Sequence, residues 1–439
     1  MIAVDQLIDR AKQVLLDNKG ANAFTIPTRR LYPFQWNWDS GFTALGYMHF
    51  DQAAAKEEIR SLLSGQWENG MVPHIIFHSE NETDYFPNWD FWNAHVNPGA
   101  PSKPKTSGIT QPPVLGFILD EWQQRFPDHP EVLSFANEVF DQIVDFHRFW
   151  YTYRDPLREG LVFIFHPWES GRDNSPLWDE ALNLIDLKRA NLPNYQRRDI
   201  TIADHSERPT STQYDQYVYL LLLGQKHQYD GQGIFEESEF LIQDTLINAL
   251  LIRSNEGLIR IGKLLNKDVG ELEEWQQQSV NAYNQKLWNS QLNHYVDYDL
   301  RQEKQMQDWE IGGLTALYAG IPDQERAGLM TQYLQELKEK NYLLTPSFDV
   351  FSEQYDSKRY WRGPIWPQMN WLIFKGLHRY GFSDLAHQNR ADFLELVQRF
   401  GFYEYFEAQR HLVETSHGGY GGNHFSWTAS SVIDLIKHP

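Results

Sequence analysis

Residues 166–179, reading HPWESGRDNSPLWD, bring a carboxylic acid up against aromatic walls. Asp173 stands in a stretch rich in Gly, Asn, Ser and Pro, with Trp168 on one side and Trp178 on the other. Burial beside rings disfavours a charged carboxylate and raises its pKa toward the range of a proton donor. Glu169 and Asp179 compete for that part, and Asx turns favour Asp for purely structural reasons. A second carboxylate acting as base would complete an acid–base pair. The stretch 402–429 offers Glu404, Glu407 and Glu414. Splitting a glycosidic bond with inversion needs the two carboxyls about 6.5–9.5 Å apart, with a water between them. The pattern alone leaves the three candidates open.

Other segments carry groups suited to a sugar. Residues 33–42, PFQWNWDSGF, hold Trp36 and Trp38 ahead of Asp39, which reads as a helix N-cap. A ring face packs on the C–H face of a sugar, and a carboxylate accepts bonds from adjacent hydroxyls. Residues 70–78, GMVPHIIFH, followed by Tyr85, place His74 and His78 four apart. Pro73 and the β-branched neighbours argue against a helix, and no general-base Glu accompanies the pair, so a metal site is not expected. A His bonded to a sugar hydroxyl competes there with a structural His. Gln111 precedes two prolines that hold it extended. RPTSTQYDQY sets Arg208 and Tyr214 six residues apart, and YWRGPIWPQMNW opens a further helix near Pro364.

Helical periodicity dominates the elements that must position these groups. Amphipathic stretches run over 4–18, 52–65, 112–125, 130–151, 214–224, 236–265, 271–288, 309–319, 324–340, 363–380, 383–401 and 426–437. Caps are expected at Asp51, at Asp128 with Pro130, and at Ser383-Asp384. Long connections fall at 26–50, 66–111, 152–213, 341–363 and 402–425, and connections of that length are usually functional. None is a flexible linker. The pattern predicts one all-α domain over 1–439, a closed toroid of helical hairpins whose insertions at about 66–111 and 152–213 cap one mouth.

Composition narrows the partners. The chain has 439 residues, a formal charge of −20, 16 Trp and no Cys. No basic run suits phosphates or an anionic membrane surface, so neither nucleic acid nor membrane is an expected partner. Without Cys there are no disulfides, thiolate chemistry or thiolate-bound zinc. The N-terminal stretch is amphipathic rather than a signal peptide, and a cytoplasmic protein is the expectation. No cofactor is called for. The expected partner is a small sugar, and the sequence is compatible with a homo-oligomer.

WNWDSGF, WESGRDNSPLWD, YWRGPIWPQMNW and FSWTA, in that order, resemble glycoside hydrolase family 63. The resemblance spans about 32–433 and is closest to the small bacterial branch acting on mannosylglycerate and glucosylglycerate. It implies an (α/α)6 barrel, Asp173 as general acid and Glu404 as general base. Trp36, Trp38, Asp39, Gln111, Trp361 and Trp366 match positions lining the sugar subsite. Arg208, Tyr214 and Tyr360 match groups that grip the glycerate carboxylate. The substrate contacts it suggests also take in Tyr32, His78, Tyr85, Trp168, Gly171, Arg172, Asn174 and Gly363. One departure stands out: the stretch after Glu404 is longer than expected and lacks the usual DPxTG turn, which keeps Glu414 in play and the aglycone open. An α-glucosidase acting on neutral disaccharides, a sugar epimerase and an inactive sugar-binding protein are the competing readings.

Overall fold

The computed structural model describes residues 4–79 and 85–438. Six helices form a closed inner ring: Asn37–Tyr47, Leu115–Arg125, Thr245–Leu264, Ile311–Ala319, Pro367–Arg379 and Ser426–Lys437. Each packs on the next, and the last returns to the first. An outer layer lies against this ring, made of Val4–Lys19, Gln52–Leu63, Pro130–Tyr153, Gly270–Lys286, Gln324–Glu339 and Ser383–Phe400. The protein is an (α/α)6 barrel.

The two layers differ in sequence because they differ in what they touch. The outer helix Val4–Lys19 buries Leu7, Ile8, Ala11, Val14 and Leu15, a stripe at helical spacing, and leaves its other face wet. The inner helices Asn37–Tyr47 and Ile311–Ala319 are buried at every residue. Small residues let the ring close: a Cβ at Gly116 would lie 2.7 Å from the Ser254 side chain on the neighbouring inner helix.

Several helix starts depart from expectation. Asp51 does cap its helix, accepting from Ala54 N at 3.0 Å. Asp39 lies in the first turn of its helix, whose N-cap is Trp36. His129 and Phe382 occupy the caps expected of Asp128 and Ser383, and neither makes a side-chain cap bond. The stretch 236–265 is broken rather than continuous. Helix Gly231–Glu237 ends, strand Ile242–Gln243 intervenes, and Asp244 caps Thr245–Leu264 through Ile247 N at 2.8 Å.

Short strands occupy the connections. Gln35–Trp36, Ile75–Phe77 and Lys105–Thr106 form one antiparallel sheet in that order. Tyr403–Phe406 pairs with Gly419–Asn423, with Tyr405 opposite Tyr420. At the C-terminal ends of the inner helices, Arg125 pairs with Asp434 at 2.7 Å, and Trp371 and His49 also reach Asp434. A cation there complements the negative ends of the helix dipoles. No helix among the described residues is long and apolar enough to cross a membrane.

Candidate active site

The opposite end of the barrel holds a cavity of about 880 Å³, partly open to solvent. Residues at the starts of inner helices build its floor: Trp36, Trp38 and Asp39 at Asn37–Tyr47, Trp366 ahead of Pro367, and Phe425 and Trp427 at Ser426. Trp366 is held by stacking, 3.9 Å from Trp361 on one face and 4.6 Å from Tyr405 on the other. The insertions supply the walls, with His74, Tyr85 and Gln111 from the first and Trp168, Asp173, Asp199 and Arg208 from the second.

Asp173 projects from a loop that is tightly fixed. The adjacent Arg172 is fully buried and pairs with Asp244 at 2.7 Å, Asp297 at 3.0 Å and Glu310. Asp244 and Glu310 are the N-caps of two inner helices, so one side chain ties the loop to the ring. Gly171, with φ of +77°, lets the loop touch Trp38, since a Cβ there would lie 2.6 Å from the indole. The Tyr217 hydroxyl donates to the Asp173 carbonyl. The competitors from this segment are engaged elsewhere, Glu169 with Arg154 at 2.8 Å and Asp179 with Arg362. Burial, reinforced by the nearby charge of Glu404 and opposed by Arg208, pushes Asp173 up to about 7.

Glu404 comes from the strand Tyr403–Phe406 and is 1% exposed. Its Oε1 accepts from the Tyr32 hydroxyl at 3.0 Å, and its Oε2 accepts from Gly422 N at 2.8 Å. Burial raises its pKa while Arg208, Gly422 and Tyr32 oppose the rise. These donors favour its charged form. Glu407 takes bonds from Ser357 and Tyr420 and does not line the cavity. Glu414 is exposed on the helix Arg410–Thr415, also outside it.

Two buried carboxyls facing one cavity among tryptophans are groups a glycosidase can use, and comparison with known proteins shows which family the chain belongs to. The mannosylglycerate hydrolase MGH1-like glycoside hydrolase domain matches residues 32–428. The chain belongs to this glycoside hydrolase family. A mannosylglycerate hydrolase of Thermus thermophilus is 40% identical over 95% of this chain and 98% of its own length. A glucosylglycerate hydrolase of Mycolicibacterium hassiacum is 31% identical over 98% of each. The crystal structure of a family 63 mannosylglycerate hydrolase from Thermus thermophilus, in complex with Tris and D-glycerate, superposes with a TM-score of 0.90 at 39% identity, covering 98% of this chain and 100% of that one. The resemblance to family 63 is thereby established, and the protein is a glycoside hydrolase.

Within this hydrolase, Tyr32, Tyr85, Trp168, Tyr214 and Tyr360 line the cavity alongside the residues above. Five expected contacts do not. His78 sits at the far end of its strand, stacked 3.9 Å from Phe24 and bonded to Gln35 at 2.7 Å. His74 faces the cavity in its place. Arg172 is taken up by its three carboxylates and by the Ser170 hydroxyl, to which its Nε donates at 3.1 Å. Asn174 accepts from Trp361 N at 2.9 Å, and Trp361 backs Trp366 from behind. Gly363 donates to Ser347 at 3.0 Å. Trp361 supports the lining residue Trp366, Arg172 anchors the loop of Asp173, and Asn174 and Gly363 bond residues behind the lining; none of the four is part of it.

Among the described residues, three buried atoms on the lining have no hydrogen-bond partner: Asp39 Oδ1, His74 Nδ1 and Arg208 Nη1. A buried polar group left unpaired costs ~1–3 kcal/mol, a cost that a ligand in the cavity would relieve at these three. Tyr217, Asp199, Arg198 and Trp427 also line the cavity and escaped the sequence reading. Trp427 lies inside the FSWTA motif and Tyr217 one turn after Tyr214, so both carried a usable signal. Asp199 and Arg198, at the start of the single helical turn Asp199–Ile202, carried none.

Proposed function

We propose that this hydrolase cleaves the α-linked glucoside or mannoside of glycerate, with inversion at the anomeric carbon. The observation that carries the reading is Arg208. It is a buried guanidinium on the cavity wall of a chain with net charge −20, and its Nη1 has no hydrogen-bond partner. A fork of N–H donors is the natural partner of a carboxylate. The D-glycerate bound in the Thermus relative supports that choice.

Protonated Asp173 donates its proton to the glycosidic oxygen as the bond to the anomeric carbon breaks. Glu404 takes a proton from the water that attacks the opposite face. The sugar leaves with inverted configuration, glycerate leaves as the alcohol, and a second proton exchange with solvent resets the pair. Trp36 and Trp38 pack on the sugar, Trp366 meets it only with its edge because both its faces are stacked, and Asp39, His74 and Gln111 bind its hydroxyls. The insertions act as the cap of a single catalytic domain, and the enzyme works in the cytoplasm.

The test is release of free sugar from glucosylglycerate, mannosylglycerate and α-linked glucose disaccharides, with the first-formed anomer read by NMR. A β-anomer from a glycerate glycoside is the expected result. An α-anomer overturns the inverting mechanism, and preference for a neutral disaccharide overturns the substrate.

A further inference from the structure

Arg208 is tied to the general base as well as to the cavity. Its Nη2 donates to the Tyr32 hydroxyl at 2.9 Å, and that hydroxyl donates to Glu404 at 3.0 Å. Its Nη1 lies 3.8 Å from the same Glu404 oxygen, close enough for attraction and too far for a hydrogen bond. The guanidinium packs 4.2 Å from the ring of Tyr360, and its Nε leans toward Asp199 at 3.3 Å. The same atom that waits for a ligand is therefore the nearest cationic atom to the base.

We propose that Arg208 makes the chemical step, and not binding alone, depend on a carboxylate in the aglycone. An anion docked on Nη1 offsets the guanidinium charge that Glu404 and Asp173 feel in the empty site, and both then hold protons more tightly. This rests on the reading of Arg208 as the carboxylate partner.

The surroundings make Arg208 the decisive charge. Asp173 faces Arg208, Glu404 and Asp199, while Glu404 faces Arg208, Asp39 and Glu207. Of the neighbouring arginines, Arg197 is already held by Asp199 at 2.7 Å, and Arg198 leans over Tyr85 at 6.0 Å. The phenols of Tyr32, Tyr217 and Tyr360 are pushed above their usual range by burial and stay neutral. Arg208 opposes the rise of both catalytic carboxyls. An opposite charge within ~4–6 Å moves a carboxyl by about 1–3 pH units, so partial offset returns about one unit. The acid then stays protonated to higher pH and the ionised base is stronger. A neutral aglycone leaves the field of Arg208 in place and forgoes both.

The experiment compares kcat against pH for the glycerate glycoside and for the glycerol glycoside of the same sugar. Both limbs of the kcat profile should lie about one pH unit higher with glycerate, because kcat reports the bound state. Superimposed kcat profiles overturn the proposal. A second measurement covers a glycerol glycoside that is not turned over. D-glycerate alone, titrated calorimetrically at pH 7 in buffers of different ionisation enthalpy, should bind with proton uptake that is lost in Asp173→Asn. Binding without uptake overturns the proposal. Arg208→Met separates this from the underlying reading. If it weakens D-glycerate binding and the profiles still coincide, only the coupling is wrong. If it leaves D-glycerate binding unchanged, the carboxylate reading itself fails.

Discussion

Gly421→Ala tests how the base is held. Gly421 lies in the strand Gly419–Asn423 with φ of +68°, beside the residue whose N–H reaches Glu404. An L-residue in that conformation costs roughly 1–2 kcal/mol. Its Cβ would also overlap Glu404 Oε2 and lie 2.6 Å from the Tyr405 ring. The buried ring cannot yield easily, so the carboxylate moves by about 1 Å, and displacement on that scale costs on the order of 100-fold in rate. The expectation is kcat down about 100-fold, KM within a few-fold, and a melting temperature lower by a few degrees. Sugar release from the glycerate glycoside and a thermal melt read these. Gly328→Ala, where the added methyl meets nothing within 4 Å, is the control and should match wild type. Wild-type kcat in Gly421→Ala would refute the claim that this hairpin positions Glu404.

Asp173→Asn and Glu404→Gln should each lower kcat by ~10²–10⁴-fold with an unchanged melt, and near-normal turnover in either removes that residue from the mechanism. With Asp173 raised to about 7 in the empty site, its proton is present below that pH and lost above it, so kcat/KM, which reports the free enzyme and is read at low substrate, should fall as pH rises through neutrality. A stopped-point assay across pH 5–9 on the glycerate glycoside checks the sign, and activity still climbing at the top of that range contradicts it. Arg208→Met should raise KM for the glycerate glycoside about 10-fold or more, with less effect on a neutral disaccharide. Arg172→Met leaves Asp244, Asp297 and Glu310 facing one another and should cost ~3–5 kcal/mol, visible as a large drop in chemical-denaturation midpoint.

The parts of the fold legible in the sequence were those with one wet face. Gln324–Glu339 and Ser426–Lys437 lie almost where helical periodicity puts them. The inner helix Asn37–Tyr47 is buried all round and shows no polar–apolar period, so the sequence signals it only through a helix start near Asp39 inside the connection 26–50. Strand Ile242–Gln243 follows Phe240 and Leu241 and leads into Leu246 and Ile247, so the apolar run of the helix Thr245–Leu264 extends back across the break and hides it. At the site, type and spacing located the carboxyl-bearing loops but not side-chain direction. His74 and His78 look equivalent in sequence, yet one faces the cavity and the other stacks on Phe24. Arg172 and Arg208 both look like ligand-binding arginines. Only their neighbours in space distinguish a guanidinium with three carboxylates from one with an N–H that no hydrogen bond occupies.

That contrast bears on how Asp173 would serve as the acid of the proposed mechanism. An arginine directly beside Asp173 in sequence could hold its carboxyl ionised and spoil it as a donor. The structure avoids this by turning Arg172 away, into a pocket of three acids that outnumber its charge. Burial is the leading influence on Glu310, with Asp297 and Asp244 adding to it against Arg172, and it is pushed up to about 8. The cluster thus absorbs the positive charge nearest the acid in sequence while anchoring its loop to the N-caps of two inner helices. Among the described residues, the cation that bears most on both catalytic carboxyls is then Arg208, placed beside the base and open to a ligand. The acid is kept protonatable by what surrounds it, and the cation left to perturb it is the one a substrate carboxylate reaches.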